Sequence, residues 1–220
     1  ELALWNYQDN TITLDKMQLL DLADVTRANS VYVSDLDNDG KQEIVIGGYS
    51  DKLDESKGQL TIWQWNGTDF VLLANRSWQM QEGTAKTIAG GVMGNTAVNN
   101  VKVADLTGDG LKEIVIGGFT YDGENINGQI KVWSWTGTEL TEKASQEWAN
   151  DYLTEVKCIS LNDVDGDGEV EIVQSGIIAA KGSFNSSDTA HDRAQLRVWT
   201  LSSDELTLKY AHNWTFDNGA

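Results

Sequence analysis

The chain has 220 residues, enough for a sizeable core, and carries a formal net charge of −18. That acidity excludes nucleic acid and anionic membrane surfaces as partners, because both need a basic footprint. One cysteine excludes an internal disulfide, and no apolar run reaches the length of a membrane span, so membrane insertion is not expected.

Repeats define the predicted elements. The chain opens on Glu1 rather than methionine, as a processed form or an excised segment would. Its first stretch, Glu1-Leu2-Ala3-Leu4-Trp5-Asn6-Tyr7, matches Gln59 to Trp65, Gln129 to Trp135 and Gln195 to Thr200. In these stretches Leu60, Ile62 and Gln64 alternate with Thr61, Trp63 and Trp65, which predicts a pleated strand of period two. Residues 1–20 therefore supply half a unit, a third and a fourth strand.

Three complete units follow, at residues 31–78, 101–148 and 156–214. Each begins with a short apolar strand: Val31-Tyr32-Val33, Val101-Lys102-Val103, or Val156-Lys157-Cys158-Ile159. Cys158, in that apolar company, is expected to be buried. An acidic loop comes next, then a strand starting at Glu43, Glu113 or Glu171. The tryptophan-bearing strand follows, then a tight turn: Asn66-Gly67-Thr68-Asp69, Thr136-Gly137-Thr138-Glu139 or Ser202-Ser203-Asp204-Glu205. A fourth strand ends at Trp78, Trp148 or Trp214.

Four-stranded units repeating every 58–70 residues or so predict an all-β fold of β-propeller blades, about three and a half in this chain, with the tryptophans packed between blades. A two-sheet sandwich does not explain why whole units repeat. Half a blade leaves the ring open, so an additional propeller segment or a second copy of the chain is expected to complete it.

The acidic loops are Asp35-Leu36-Asp37-Asn38-Asp39-Gly40, Asp105-Leu106-Thr107-Gly108-Asp109-Gly110 and Asp163-Val164-Asp165-Gly166-Asp167-Gly168. Alternate carboxylates on a short loop repel unless a cation sits between them, and Ca²⁺ wants six to eight oxygens. Position twelve is Ile46, Ile116 or Gln174, which rejects an EF-hand; position nine is Glu in every copy. The expected ligands of the first site are Asp35, Asp37, Asp39, the carbonyl of Lys41 and Glu43. Those of the second are Asp105, Thr107, Asp109, the carbonyl of Leu111 and Glu113. Those of the third are Asp163, Asp165, Asp167, the carbonyl of Glu169 and Glu171. Three Ca²⁺ sites are predicted in preference to Mg²⁺, which keeps its waters; Thr107 makes the second the weakest.

The pattern Asp-x-Asp-x-Asp-Gly-x-x-Glu-Ile-Val-x-Gly-Gly resembles the FG-GAP/VCBS repeat family, related to the integrin α-subunit propeller. Gly47-Gly48 and Gly117-Gly118 match its glycine-rich end, and Gln174-Ser175-Gly176 departs from it. The resemblance implies a propeller, often seven-bladed, on an extracellular or cell-surface protein.

Metal loops and tight turns are expected on one face. The opposite face collects segments 49–58, 119–128 and 177–194 and the connections 21–30, 79–100 and 149–155, and is expected to bind ligand. Tyr49, Phe119 and Tyr121 fit either a ligand surface or packing beneath those loops. In 177–194 the run His191-Asp192 suggests acid–base chemistry, but a solvated loop is the favoured reading of Ser183, Asn185, Ser186, Asp188 and Arg193. Four sequons, at Asn66, Asn75, Asn185 and Asn213, agree with a surface protein. The expected function is non-catalytic recognition or adhesion toward a protein or glycan ligand. A lectin-like module, a self-assembling surface protein and an accessory domain of a polysaccharide-degrading enzyme are the alternatives.

Overall fold

Among the described residues, period-two alternation folds into sixteen strands. The computed structural model describes residues 1–20, 25–52, 55–79, 86–88, 91–93, 96–180 and 193–215, and these contain no helix. β1 (Leu2–Gln8) and β2 (Thr11–Gln18) make a hairpin. A first antiparallel meander contains β3 (Val25–Ser34), β4 (Glu43–Lys52), β5 (Glu55–Trp65) and β6 (Phe70–Trp78). A short hairpin, β7 (Lys86–Ile88) and β8 (Gly91–Met93), precedes the second meander. That meander is β9 (Thr96–Ala104), β10 (Glu113–Tyr121), β11 (Ile126–Trp135) and β12 (Leu140–Trp148). The third is β13 (Leu153–Asn162), β14 (Glu171–Ala179), β15 (Arg193–Ser202) and β16 (Glu205–Thr215). One parallel pairing, Ile126 with Leu153, joins the last two meanders into an eight-stranded sheet.

Successive units bury their faces against each other. Leu36, Val45, Leu60 and Ile62 of the first meander pack on Val98, Val101, Ile114, Ile116 and Trp133 of the second. Leu106, Val115, Ile130 and Val132 of the second pack on Val156, Ile159, Ile172 and Trp199 of the third. The opening hairpin lays Leu2 and Leu4, and the segment after it Leu20, against Ile46, Trp63 and Phe70. Each fully buried Leu or Ile contributes about 1.5–3 kcal/mol. The middle meander is covered on both faces, so every residue of β10 is buried; β16, at the far end, is exposed at nearly every position.

The tryptophans lie between units. Trp78 meets Trp133 at 5.7 Å between ring centroids, and Trp148 meets Trp199 at 5.4 Å. The Trp78 indole NH donates to Gln129 Oε1 at 3.0 Å, and that of Trp148 to Gln195 Oε1 at 3.2 Å. Lys131 sits over the Trp78 ring and Arg197 over the Trp148 ring, adding a cation–π contact to each pair.

The paired glycines serve two different neighbours. Each first strand bulges, at Asn29, Asn99 and Lys157, and a Cβ on Gly48, Gly118 or Gly176 would overlap the carbonyl of Arg27, Ala97 or Glu155 in the same meander. The glycine before it receives the next unit. A Cβ at Gly47 would lie 2.5 Å from the Val98 and Val101 side chains, and one at Gly117 2.7 Å from Val156 and Ile159. Ser175, at this position in the third meander, is exposed among the described residues.

Several expectations need correction. Segments 49–58 and 119–128 are mostly strand, since β4 pairs with β5 as far as Lys52 and Glu55, and β10 with β11 as far as Tyr121 and Ile126. Gly58 and Gly128, at the ends of those segments, are small because the Trp78 and Trp148 rings lie against them, at 3.1 and 2.9 Å from a Cβ placed there. Segments 25–30 and 153–155 likewise belong to β3 and β13. Phe119 and Tyr121 are core residues, with Tyr49 packed beside them. Cys158 is exposed, directly after the bulge in β13. Ser183, Asn185, Ser186, Asp188, His191 and Asp192 lie outside the described residues; Arg193 begins β15 and pairs with Asp151 at 3.0 Å. Asn66, Asn75 and Asn213 are exposed, as glycosylation requires.

Candidate metal loops

Each acidic loop joins the first strand of a meander to its second, and its first carboxylate organises it. Asp35 accepts the Gly40 NH at 3.0 Å, Asp105 the Gly110 NH at 2.8 Å, and Asp163 the Gly168 NH at 2.9 Å. The glycine at that position has φ of +85°, +87° and +92° in the three copies, a backbone region that favours glycine. The carboxylate at position five accepts the NH of position seven at 2.8 Å in all three, from Lys41 to Asp39, Leu111 to Asp109 and Glu169 to Asp167.

Glutamate at position nine performs a task the spacing alone did not reveal. Glu43, Glu113 and Glu171 are all buried, and one oxygen of each accepts the NH of position two, Leu36, Leu106 or Val164, at 2.9 Å. Glu43 takes a second bond from the Gln64 amide at 2.8 Å. Burial pushes the Glu113 carboxyl above the ordinary range, with the Leu106 NH pulling partly back. The glutamate thus latches the loop onto the sheet.

The carboxylates converge unequally. Oxygens of Asp35, Asp37 and Asp39 lie within 4.8 Å of one another, as do those of Asp163, Asp165 and Glu171. Among the described residues no third acidic group converges so closely. In the second copy Thr107 replaces an aspartate, and both Asp105 oxygens accept backbone NH groups, from Gly108 at 2.7 Å and Gly110. In the first copy position four is Asn38 instead of glycine, and Asp35 Oδ1 is buried without a hydrogen-bond partner. A buried carboxylate oxygen with no donor is costly unless a cation meets it. The donor set therefore fits a hard, oxygen-seeking metal ion. Lys41 pairs with Asp39 at 2.9 Å at the exposed rim; its hydrogen bond lowers the Asp39 pKa and raises that of Lys41.

Neighbouring loops brace each other through residues that carry no motif. Lys112 donates to the Asp35 carbonyl at 2.8 Å and to Ser34 Oγ at 3.0 Å, and Asn38 donates to the Gly110 carbonyl at 2.8 Å. The tight turn of the second meander reaches the first loop, where a Cβ on Gly137 would stand 2.5 Å from Asp37 Oδ2. The acidic loops and tight turns share one edge of the molecule. Sequence offers no signal for Lys112, since the third copy has Val170 at that position, and a polar groove of about 220 Å³ opens there between the second and third loops.

Residues 35–116 match the model of the FG-GAP-like repeat. This segment is an FG-GAP-like repeat. It spans the first two loops and the meander boundary between them, with Trp63, Trp65 and Trp78 inside it. No curated protein sequence matches the chain. Among solved structures, the rhamnogalacturonan lyase PL11 of Bacillus licheniformis is similar over 88% of this chain and 35% of its own, with 14% identity and a TM-score of 0.51. The exotype rhamnogalacturonan lyase YesX is similar over 86% of this chain and 33% of its own, with 15% identity and a TM-score of 0.50. The chain thus spans about a third of each, and the likeness is one of fold. No helix among the described residues is long and apolar enough to cross a membrane.

Proposed function

We propose that the chain is part of a Ca²⁺-stapled β-propeller that serves as a non-catalytic recognition scaffold on an extracellular or cell-surface protein. One observation carries the metal reading: oxygens of Asp35, Asp37 and Asp39 lie within 4.8 Å of one another, and Asp35 Oδ1 is buried with no hydrogen-bond donor. Residues 35–43, 105–113 and 163–171 would each hold one ion. The cation supplies positive charge that the loops lack, and the protein contributes converging oxygens on loops closed by Glu43, Glu113 and Glu171. Face-to-face stacking of four-stranded meanders supports the blade reading, with further blades outside this chain or in a partner.

Calorimetric titration of chelator-treated protein tests the metal reading. Ca²⁺ is expected to bind at more than one site and Mg²⁺ more weakly. Absence of Ca²⁺ binding at millimolar concentration sinks it.

A second reading, contact with a polysaccharide, draws support from the names of the two similar structures, both rhamnogalacturonan lyases. A chain of net charge −18 repels a polyuronate, so the favoured glycan is neutral or bridged through bound Ca²⁺. Binding to a glycan array with and without EDTA decides between glycan and protein ligands. Appearance of unsaturated sugar products on incubation with rhamnogalacturonan contradicts the non-catalytic assignment.

A further inference from the structure

Two buried cations hold equivalent positions in the second and third meanders, and they are not neutralised alike. Lys131 precedes Trp133 by two places on β11, as Arg197 precedes Trp199 on β15. Lys131, 8% exposed, is paired with Glu142 of the neighbouring fourth strand at 3.2 Å. Glu142 stands opposite Trp133 in the strand register, and the residue opposite Trp199 is Leu208. The third meander therefore keeps the cation and lacks the carboxylate.

Arg197 is 7% exposed, and among the described residues no carboxylate pairs with it. Its Nε donates to Gln195 Oε1 at 3.3 Å, an oxygen that also accepts the Trp148 indole NH, and its guanidinium lies over the Trp148 ring. Burial holds its pKa below the ordinary value, yet a guanidinium keeps its proton in a protein and cannot escape by neutralising itself. A buried charge with no counter-charge is strongly destabilising.

Beside it stands a second group without a partner. Gln174 is opposite Arg197 in the register of β14 and β15, so the two side chains leave the sheet on the same face as neighbours. Gln174 is fully buried, and neither its amide nitrogen nor its oxygen has a hydrogen-bond partner. The corresponding residues of the other meanders, Ile46 and Ile116, need none. This face is turned toward the second meander, since Ile172 and Trp199 on it pack with Val115, Ile130 and Val132. A buried cation and an idle amide thus lie side by side in the joint between two units, with N–H donors in excess of acceptors.

We propose that a small monovalent anion of the chloride class binds in this joint, held by the Arg197 guanidinium and the Gln174 amide NH₂. It supplies the negative charge that Glu142 supplies one unit earlier. Arg197 decides the class of ligand, because a water satisfies hydrogen bonds and leaves the buried charge unpaired. Gln174 Oε1 remains to accept from the guanidinium. The site uses no residue of the acidic loops and does not rest on the metal reading.

The test is thermal unfolding of the 220-residue chain in sodium chloride and in sodium gluconate, at equal ionic strength and fixed free Ca²⁺. Ionic strength is matched because a chain of net charge −18 gains from screening by any salt, and gluconate is too large to enter a packed joint. Native protein is expected to melt about 2–4 °C higher in chloride, as when a ligand binds the folded state alone. Arg197→Met keeps an apolar stem against Trp148 without the charge, and is expected to erase that difference. Leu208 is 42% exposed, and Leu208→Glu puts a carboxylate where the second meander has Glu142. This variant is expected to erase the difference as well, melting in gluconate as high as native protein does in chloride. It alters no interior residue, so it decides the matter even where Arg197→Met does not fold. In a crystal soaked in sodium bromide, an anomalous peak is expected beside the Arg197 guanidinium. Equal melting of native protein in the two salts, a chloride increment that survives Leu208→Glu, or no bromide beside Arg197 each overturns the proposal. The first of these results assigns the joint to water.

Discussion

Trp148 and Trp199 stack at 5.4 Å and 44° across the boundary between the second and third meanders, reproducing the contact of Trp78 with Trp133. These pairs are the hydrophobic joints of the molecule. Trp199 is buried and its indole NH has no partner, so its removal costs packing and no hydrogen bond. Trp199→Ala is expected to lower unfolding stability by roughly 3–5 kcal/mol, read as a shift in the urea midpoint. Tyr7→Ala, on the exposed hairpin, is expected to change it by under about 0.5 kcal/mol.

Metal binding to the folded loops is expected to raise the melting temperature. At a free concentration of about 100 times Kd, each site adds about 2.7 kcal/mol. Asp35→Asn and Asp163→Asn should each remove one site from a calorimetric titration. The second site, with Thr107, is expected to be the weakest, and equal affinity at all three contradicts that ranking.

Backbone contact makes Gly118 irreplaceable within its own sheet, since a Cβ there overlaps the Ala97 carbonyl. Gly118→Ala is expected to destabilise by about 2 kcal/mol or more, because the obstacle is backbone and cannot swing aside. Chemical denaturation of the variant checks this; a cost below about 0.5 kcal/mol would show that the bulge relaxes freely.

Asp122 supplies a pH dependence with a definite sign. Burial works to raise its pKa, but the NH groups of Asn125 and Glu124, at 2.7 and 2.8 Å, and the Asn127 amide win, and the carboxyl is held below its ordinary value. The folded state therefore binds fewer protons than the unfolded one. The stabilisation is fully present above the unfolded pKa of about 3.9 and is lost as pH falls through the lower folded value. Asp122→Ala should be less stable than the native protein at pH 7, and the gap should close in strong acid. A gap that widens on acidification refutes this.

Much of this protein was legible from its residues because its information is local and repeated. Three Asp-rich loops in register, each feeding Ile-Val strands, define the units, and the alternation around Trp63, Trp133 and Trp199 defines which face packs. What failed was taking segments 49–58 and 119–128 as loops of a ligand face. Gly58 and Gly128 lie within long strands, and their reason is a tryptophan from elsewhere in the meander. The latch of Glu43 onto the Leu36 NH and the brace of Lys112 on Asp35 were likewise hidden, because one depends on how the loop closes and the other on which unit stands beside it.

By itself, then, the sequence determined the strand period, the acidic loops and the recurrence of four-stranded units, all properties of residues a few positions apart. Only the tertiary structure decided which carboxylate oxygen lacks a donor, why a side chain fits at Ser175 but not at Gly47 and Gly117, and which tryptophans pair across units. Those are set by contacts between units, such as Asn29 with Val98, 69 residues away, and Trp148 with Gln195, 47 away, where burial and steric fit act on neighbours that no local pattern names.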